Sequence, residues 1–338
     1  MAKQKQTGIR DIARMLNVSP STVSKAMNGD HSIKSQTRER VIALAREMNY
    51  SPNQVSLSLR LNRTKILGIV VPNITSHFFS SIISGIHDAA AREGYNSIIC
   101  QSNESINKEI DVINALTSCR VDGLIISLSL QTDTYAHIQK ITSRGIPLVL
   151  FDRTCDAPNV TKIVVDNTEG AYQATAYLIQ RGYKRIAHIS GPGHLSVSKS
   201  RLEGYLQAHR DQEQPVREAL ICECSLKKED IISKIQYLLD LPEAPDAIFT
   251  INDRVALLAM SIIKSRGMRI PEDIALIGYT NVPESGLLEP ALTTVAQPAY
   301  EMGKVAADQL FLQIKDPEAF IPQIITLKSD FMIRNSTA

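Results

Sequence analysis

The chain has 338 residues, 43% of them hydrophobic, and a net charge of only +2, which is length and apolar content for two or three folded units. No run of about 18 apolar residues occurs, and the basic opening MAKQKQTGIRDIAR is followed by no apolar stretch, so neither a membrane span nor a secretory leader is expected and the cytoplasm is the expected compartment. The cysteines Cys100, Cys119, Cys155, Cys222 and Cys224 are odd in number and scattered through apolar segments; they read as reduced thiols, and with no second Cys/His cluster near Cys222-Glu-Cys224, neither metal nor cofactor is expected.

The small net charge hides an asymmetry. Met1 to Lys65 holds twelve Lys/Arg against four Asp/Glu, or +8, and the remaining 25 against 31 give −6. A basic end on a mildly acidic body points to a nucleic-acid-binding appendage. A merely solvated arm would lack an apolar pattern, and this one has such a pattern. In GIRDIARMLNVSPSTVSKAMNGD, Ile9, Ile12, Ala13 and Leu16 fall at helical spacing, and Asn17 stands where a left-handed residue ends a helix. Ser19-Pro20 then supplies a cap and a first helical residue, with Val23, Ala26 and Met27 inward and Ser21, Thr22, Ser24 and Lys25 outward. Two short helices about a tight turn predict a helix-turn-helix whose second helix enters the major groove of double-stranded DNA. A bland helical hairpin is the competing reading.

TRERVIALAREMNY predicts a third helix, with Val41, Ile42, Ala45 and Met48 inward, closing a core that is marginal alone. SPNQVSLSLRLNR reads as a hinge with a short helix; Leu59 beside Arg60 has the character of an apolar wedge for the minor groove, although a linker leucine also serves packing.

From Lys65 onward, apolar runs alternate with amphipathic segments: ILGIVVP, NSIICQ, DGLIISLS and PLVLFD, then a restart at KIVVDN, followed by RIAHISGP, ALICE, DAIFTIN and DIALIGY. Runs without alternation predict strands buried on both faces of parallel sheets. The fold class is therefore an α/β core of two doubly wound lobes, preceded by an all-α helix-turn-helix domain. Ligands of such sheets sit beyond the carboxyl ends of the strands, where this chain places Asn73, Ser127, Asp152, Asn252, Asp253 and Thr280-Asn281. Enzymatic signatures fail: GPGH matches neither nucleotide fingerprint, no Gly-x-Ser-x-Gly or His-Glu-x-x-His occurs, and the seven histidines are dispersed.

These motifs, among them IRDIARMLNVSPSTVSKAMNG, YSPN, LGIVVPNI, GIPLVLFDR, VVDNTEGAYQAT, PDAIFTIND, IPEDIALIGY and PALTTVAQPAYEMGK, lie in order along the chain. In them it resembles the LacI/GalR family of bacterial transcriptional regulators over essentially its whole length. The resemblance implies a homodimer on a pseudo-palindromic operator, with a periplasmic-binding-protein-like core that senses a small molecule, commonly a sugar or sugar derivative. It implies that Ser21 and Lys25, with Pro20, face bases, that Thr22, Ser24 and Asn28 contact or support phosphate, and that Leu59 wedges into the minor groove. It also implies that Phe78 and Phe79 line the cleft and that Asp152, Arg201 and Asn252 bind effector. The phenylalanines also read as core, Asp152 with Arg201 as an interlobe ion pair, and Asn252-Asp253 as a helix cap. The expected division is 1–50 for the DNA-binding domain, 51–64 for hinge helix and linker, and 65–338 for the core. Within the core the first lobe takes 65–161 and 293–325, and the second 162–292 and 326–338.

The chain departs from the family pattern at Gly8 and Lys34, two capping positions, and in CECSLKKED, which lacks an aromatic that several members set against the ligand. Thr280 stands where members commonly carry Asp; a hydroxyl in place of a carboxylate makes an anionic ligand more tolerable, and Arg201 suits a carboxylate or phosphate. The expectation is a non-enzymatic, sequence-specific repressor of carbohydrate utilisation, controlled by a sugar or sugar acid. A sugar-binding transport protein, a sugar-processing enzyme, and a corepressor-dependent or activating regulator stand as alternatives. With no leucine-heptad tail after RNSTA, a dimer is expected.

Overall fold

The structure, a computed structural model, describes residues 8–27, 29–48, 50, 63–156 and 159–337. The chain divides into two compact units, Met1–Thr64 and Lys65–Ala338. The expected hinge helix, within 51–64, lies outside the described residues except at 63 and 64.

In the first unit, helices α1 (Ile9–Met15), α2 (Pro20–Met27) and α3 (Ser35–Glu47) follow in order. Gly8 has no side chain with which to cap α1, but the Asp11 carboxylate accepts its N–H at 2.9 Å, half of a capping box. Asn17 ends α1 at φ 51°, a conformation that asparagine tolerates. Ser19 Oγ accepts the Thr22 N–H at 3.0 Å, so the Ser-Pro start read from the sequence is realised. Ile12, Ala13, Val23, Ala26, Val41 and Ala45 are the buried core. Half of these are alanines, which lets the helices cross closely but buries little area.

The second unit holds two six-stranded sheets. The first contains β1 (Ile66–Val71), β2 (Asn96–Gln101), β3 (Gly123–Ile126), β4 (Leu148–Phe151), β5 (Thr161–Val165) and β11 (Ile324–Leu327), in the order β11-β5-β4-β3-β1-β2. The second contains β6 (Ile186–Ser190), β7 (Ile221–Glu223), β8 (Ala247–Thr250), β9 (Ala275–Thr280), β10 (Thr293–Ala296) and β12 (Asp330–Met332), in the order β12-β10-β9-β8-β6-β7. Pairing is parallel throughout except between β10 and β12. Each sheet has a switch point, between β1 and β3 and between β6 and β8, where crossover helices leave to opposite faces and open a crevice at the carboxyl ends.

Helices α4 (His77–Arg92), α5 (Ile106–Ser118), α6 (Ala136–Ser143) and α11 (Ala299–Lys315) pack with the first sheet. Helices α7 (Asn167–Gln180), α8 (Ser196–Asp211), α9 (Lys228–Leu239) and α10 (Asp253–Ser265) pack with the second. Contact between α4 and α11 depends on glycine, because a Cβ on Gly303 would lie 2.0 Å from the Ile82 carbonyl oxygen and one on Gly85 2.1 Å from that of Tyr300. Among the described residues no helix is long and apolar enough to cross a membrane.

Two expectations need correction. The sequence appears to restart at KIVVDN, but Thr161–Val165 pairs in register with β4 and so belongs to the first sheet, while Thr293–Ala296 pairs with β9 in the second. The chain therefore changes lobe near residues 166, 297 and 328, since Ile324–Leu327 joins the first sheet and Asp330–Met332 the second. Alternation of apolar runs identifies strands but not the sheet that each one joins. Second, β2 is an edge strand, and Ile98 and Ile99 are 37% and 46% exposed; its unbroken apolar run does not reflect burial on both faces.

Candidate recognition helix and interlobe cleft

On α2 the exposed side chains are Ser21 and Lys25, one helical turn apart on a single face, with Pro20 and Ser19 exposed at its start. Thr22 and Ser24 are half-buried beside them. The hydroxyls of Ser21 and Thr22 lie 2.7 and 2.8 Å from Ser19 Oγ, so Ser19 organises the helix start as well as capping it. Asn28, Leu59 and Arg60 lie outside the described residues.

In the second unit a cleft of about 1300 Å³ opens between the carboxyl ends of the two sheets. Its lining includes Phe78, Phe79, Asp152, Arg201, Asn252 and Thr280. Ser127 is not part of it: it is wholly buried at the end of β3, with an Oγ that has no hydrogen-bond partner. Phe78 and Phe79 are both core and cleft wall, 7% and 5% exposed and packed edge-on at 5.3 Å. The aromatic side of the cleft is therefore stiff.

Asp152 follows β4 with φ 56°. It is 8% exposed, and its carboxylate accepts no hydrogen bond among the described residues. Burial pushes its pKa up, while Arg153 and Arg201 pull it down. Its neighbour Arg153 is committed, donating to Glu104 at 2.7 Å and lying over the Phe79 ring. Asp152 is thus the uncommitted charge of the pair, aimed into the cleft.

Arg201, on α8, is 5% exposed. Its Nε donates to Asn167 Oδ1 at 2.9 Å, one Nη donates to the Ile251 carbonyl, and the guanidinium lies 3.6 Å from the Tyr279 ring centroid. Burial lowers its pKa, opposed by Tyr279 and Asp152. Asp152 and Arg201 attract each other but make no direct ion pair within 4.0 Å, and both line the cleft.

Asn252 is the helix cap that the sequence suggested, and it also lines the cleft. Its Oδ1 accepts the Val255 N–H at 3.0 Å and caps α10, leaving the amide nitrogen for the cleft. Asp253 is structural: its carboxylate accepts from Val282 N–H and Ser285 Oγ at 2.8 Å each and from Thr294 Oγ1 at 2.6 Å. Gly278 makes room for it, because a Cβ there would lie 2.1 Å from Asp253 Oδ1. Thr280 ends β9 at φ 122°, followed by Asn281 at 60°, a strained setting for a β-branched residue. Arg334 Nη2 holds Asn281 Oδ1 at 2.7 Å and so braces the turn.

Sequence reasoning missed two cleft groups, Ser198 and Gln297. Ser198 Oγ and Gln297 Nε2 are buried with no hydrogen-bond partner among the described residues, and both residues line the cleft. No motif marks a serine inside a helix or a glutamine between a strand and a helix as special; only an orphaned polar atom does. Among the described residues no group of three His/Cys/Asp/Glu is placed to hold a metal.

Residues 64–334 match the family model for periplasmic binding proteins and the sugar binding domain of the LacI family, and residues 8–53 match that for bacterial regulatory proteins of the lacI family. An HTH-type transcriptional repressor PurR of Vibrio atlanticus (strain LGP32) is 35% identical over 312 residues, 92% of each chain. The lac repressor dimer bound to operator and the anti-inducer ONPF is 25% identical, with TM-score 0.87 over 98% of this chain and 99% of that one. A transcriptional regulator CelR–cellobiose complex is 28% identical, with TM-score 0.74 over 98% of this chain and 99% of the other.

Proposed function

This chain belongs to the LacI family of DNA-binding bacterial regulators, and on that premise we propose that it represses a carbohydrate-utilisation operon under the control of a sugar or sugar-acid effector bound between its lobes. One observation carries the effector reading: the buried Asp152 carboxylate lines the cleft and accepts no hydrogen bond among the described residues, with Arg153 and Arg201 acting on it only through space, a costly arrangement unless a ligand supplies donors. A pair of ligand hydroxyls satisfies a carboxylate in this way. Around it Arg201, Asn252, Gln297, Ser198 and Thr280 offer mostly N–H and O–H donors, suited to an oxygen-rich ligand. The cellobiose-bound relative supports the same class.

The acid form of the sugar is favoured by Thr280, which brings no negative charge, and by the donor excess. A non-sugar effector is the second reading. It is favoured by the stretch Ser225 to Lys228, which lines the cleft without an aromatic to stack on a sugar face. On the DNA side, Ser21 and Lys25 read base edges, Thr22, Ser24 and Asn28 secure phosphates, and Leu59 with Arg60 enters the minor groove of a pseudo-palindromic operator held by a homodimer in the cytoplasm. Effector and operator are coupled by linkage: the ligand shifts operator affinity by its differential affinity for the two lobe arrangements.

The deciding experiment is a thermal-shift screen of neutral sugars, uronates, sugar phosphates and nucleobases. It is followed by operator binding with every hit, in the parent and in Asp152→Asn. A sugar or uronate should raise the melting temperature, alter operator affinity, and lose at least about tenfold in affinity in the variant. A response confined to nucleobases would replace the sugar reading with the second one.

A further inference from the structure

The two lobes are joined across the mouth of the cleft by a side chain outside the proposed effector contacts. A ring nitrogen of His194, Nε2, lies 2.7 Å from the carbonyl oxygen of Leu130. His194 stands in the exposed turn between β6 and α8 of the second lobe, and Leu130 follows β3 in the first. A carbonyl only accepts, so Nε2 carries the proton and donates. We propose that this bond is a latch, with His194 as a positioning residue that sets how often the lobes stand bridged, whatever the effector.

Both anchors are stiff. On the first lobe, Leu130 N–H donates to Glu104 Oε2 at 2.8 Å and Ser129 N–H to Glu109 Oε2 at 2.6 Å. Glu109 is wholly buried and also bonds Thr132 Oγ1 at 3.0 Å and His137 Nε2 at 2.8 Å. On the second lobe, Gly193 N–H donates to Glu223 Oε1 at 3.0 Å, Leu195 N–H to the Pro192 carbonyl at 3.1 Å, and the Leu195 side chain is buried. With each strap tied to its own lobe, neither follows the other when the lobes separate. The bond is made in one arrangement and lost in the other, which is what a two-state element requires. Leu130, Pro192 and Leu195 line the cleft, so the latch also narrows one side of its mouth.

One water-exposed hydrogen bond shifts such an equilibrium by roughly two- to tenfold. The sequence contains no tryptophan, so Leu257→Trp, on the cleft-lining face of α10, installs a single reporter in the full-length protein. In that background the acrylamide-quenching slope should rise in His194→Ala. It should return to the parent value in His194→Gln, whose amide N–H reaches as far as Nε2, and stay high in the shorter His194→Asn. Equal slopes in parent and His194→Ala overturn the latch. So does a raised slope that His194→Gln fails to restore, because ring packing and not the hydrogen bond would then be the cause. The quenching needs no ligand, and so its failure is distinct from failure of the sugar reading.

Discussion

The guanidinium of Arg201 lies 3.6 Å from the ring centroid of Tyr279, stacked on an aromatic face while its edge bonds Asn167 and the Ile251 carbonyl. Stacking and a planar fork together are properties of arginine and not of lysine. Arg201→Lys should therefore lower effector affinity at least about tenfold and stability by about 1–3 kcal/mol. Urea denaturation beside ligand titration reads both. Unchanged stability would place the weight of Arg201 on the ligand alone.

Asp253 holds three donors from separate segments: Val282, Ser285 and Thr294. An asparagine turns an N–H₂ toward one or more of them, so Asp253→Asn should cost about 2–4 kcal/mol in urea melts. Effector affinity measured well below the melting temperature should stay within about threefold of the parent. A large affinity loss in a stable variant would make Asp253 a ligand contact.

His188 is wholly buried, stacked between Tyr205 and Phe249 with centroids 5.3 and 4.9 Å away, and its Nδ1 lies 3.1 Å from the Phe249 carbonyl. Nδ1 must donate there, which leaves Nε2 as an unpaired lone pair. Burial lowers its pKa from 6.5 to about 4. A base with a depressed folded-state pKa leaves stability intact above 6.5. Stability then falls as pH drops toward about 4, because only the unfolded chain takes up the proton. The loss at pH 5 should be about 2 kcal/mol. His188→Gln should flatten this part of the stability curve, measured by urea midpoints from pH 7 to 4.5; an equally steep curve in the variant would assign the loss to other groups.

Lys25 is exposed one turn after Ser21 on α2. If it reads a base edge, Lys25→Ala costs about 1–3 kcal/mol on the preferred operator and relaxes preference at one position. A uniform loss on every sequence, with a salt slope shallower by about 1, would identify a phosphate contact. Operator selection from random DNA with both proteins separates the outcomes.

Thr280 lines the cleft with an uncharged side chain. Thr280→Asp should weaken a uronate or other anionic ligand at least about tenfold while sparing or favouring a neutral sugar. Calorimetry with one ligand of each kind tests this, and equal affinities in both proteins would remove Thr280 from the site.

Much of this molecule is written in short stretches of its chain. The Ser19-Pro20 start, the left-handed Asn17 and the inward Ile12, Val23 and Val41 depend on neighbours within a few residues, so local rules suffice for them. The strands were legible for the same reason, as apolar runs bounded by polar ends, and those ends placed Asp152, Asn252 and Thr280 beside a crevice. Sheet membership of Thr161–Val165 and Thr293–Ala296 was not legible, because a strand's partners are chosen by register with segments far along the chain.

The sequence by itself determined which elements form and what chemistry stands at their ends: a basic reading helix, and a carboxylate and a guanidinium within an α/β core. Only the tertiary structure decided which charges are spent. Glu104 neutralises Arg153, Asn167 and the Ile251 carbonyl hold Arg201, and three donors occupy Asp253, while among the described residues the Asp152 carboxylate accepts no hydrogen bond and Ser198 and Gln297 are left with unpaired atoms in the cleft walls. The reason is that the availability of a polar group belongs not to its residue type but to the hydrogen-bond partners that folding brings within about 3 Å of it.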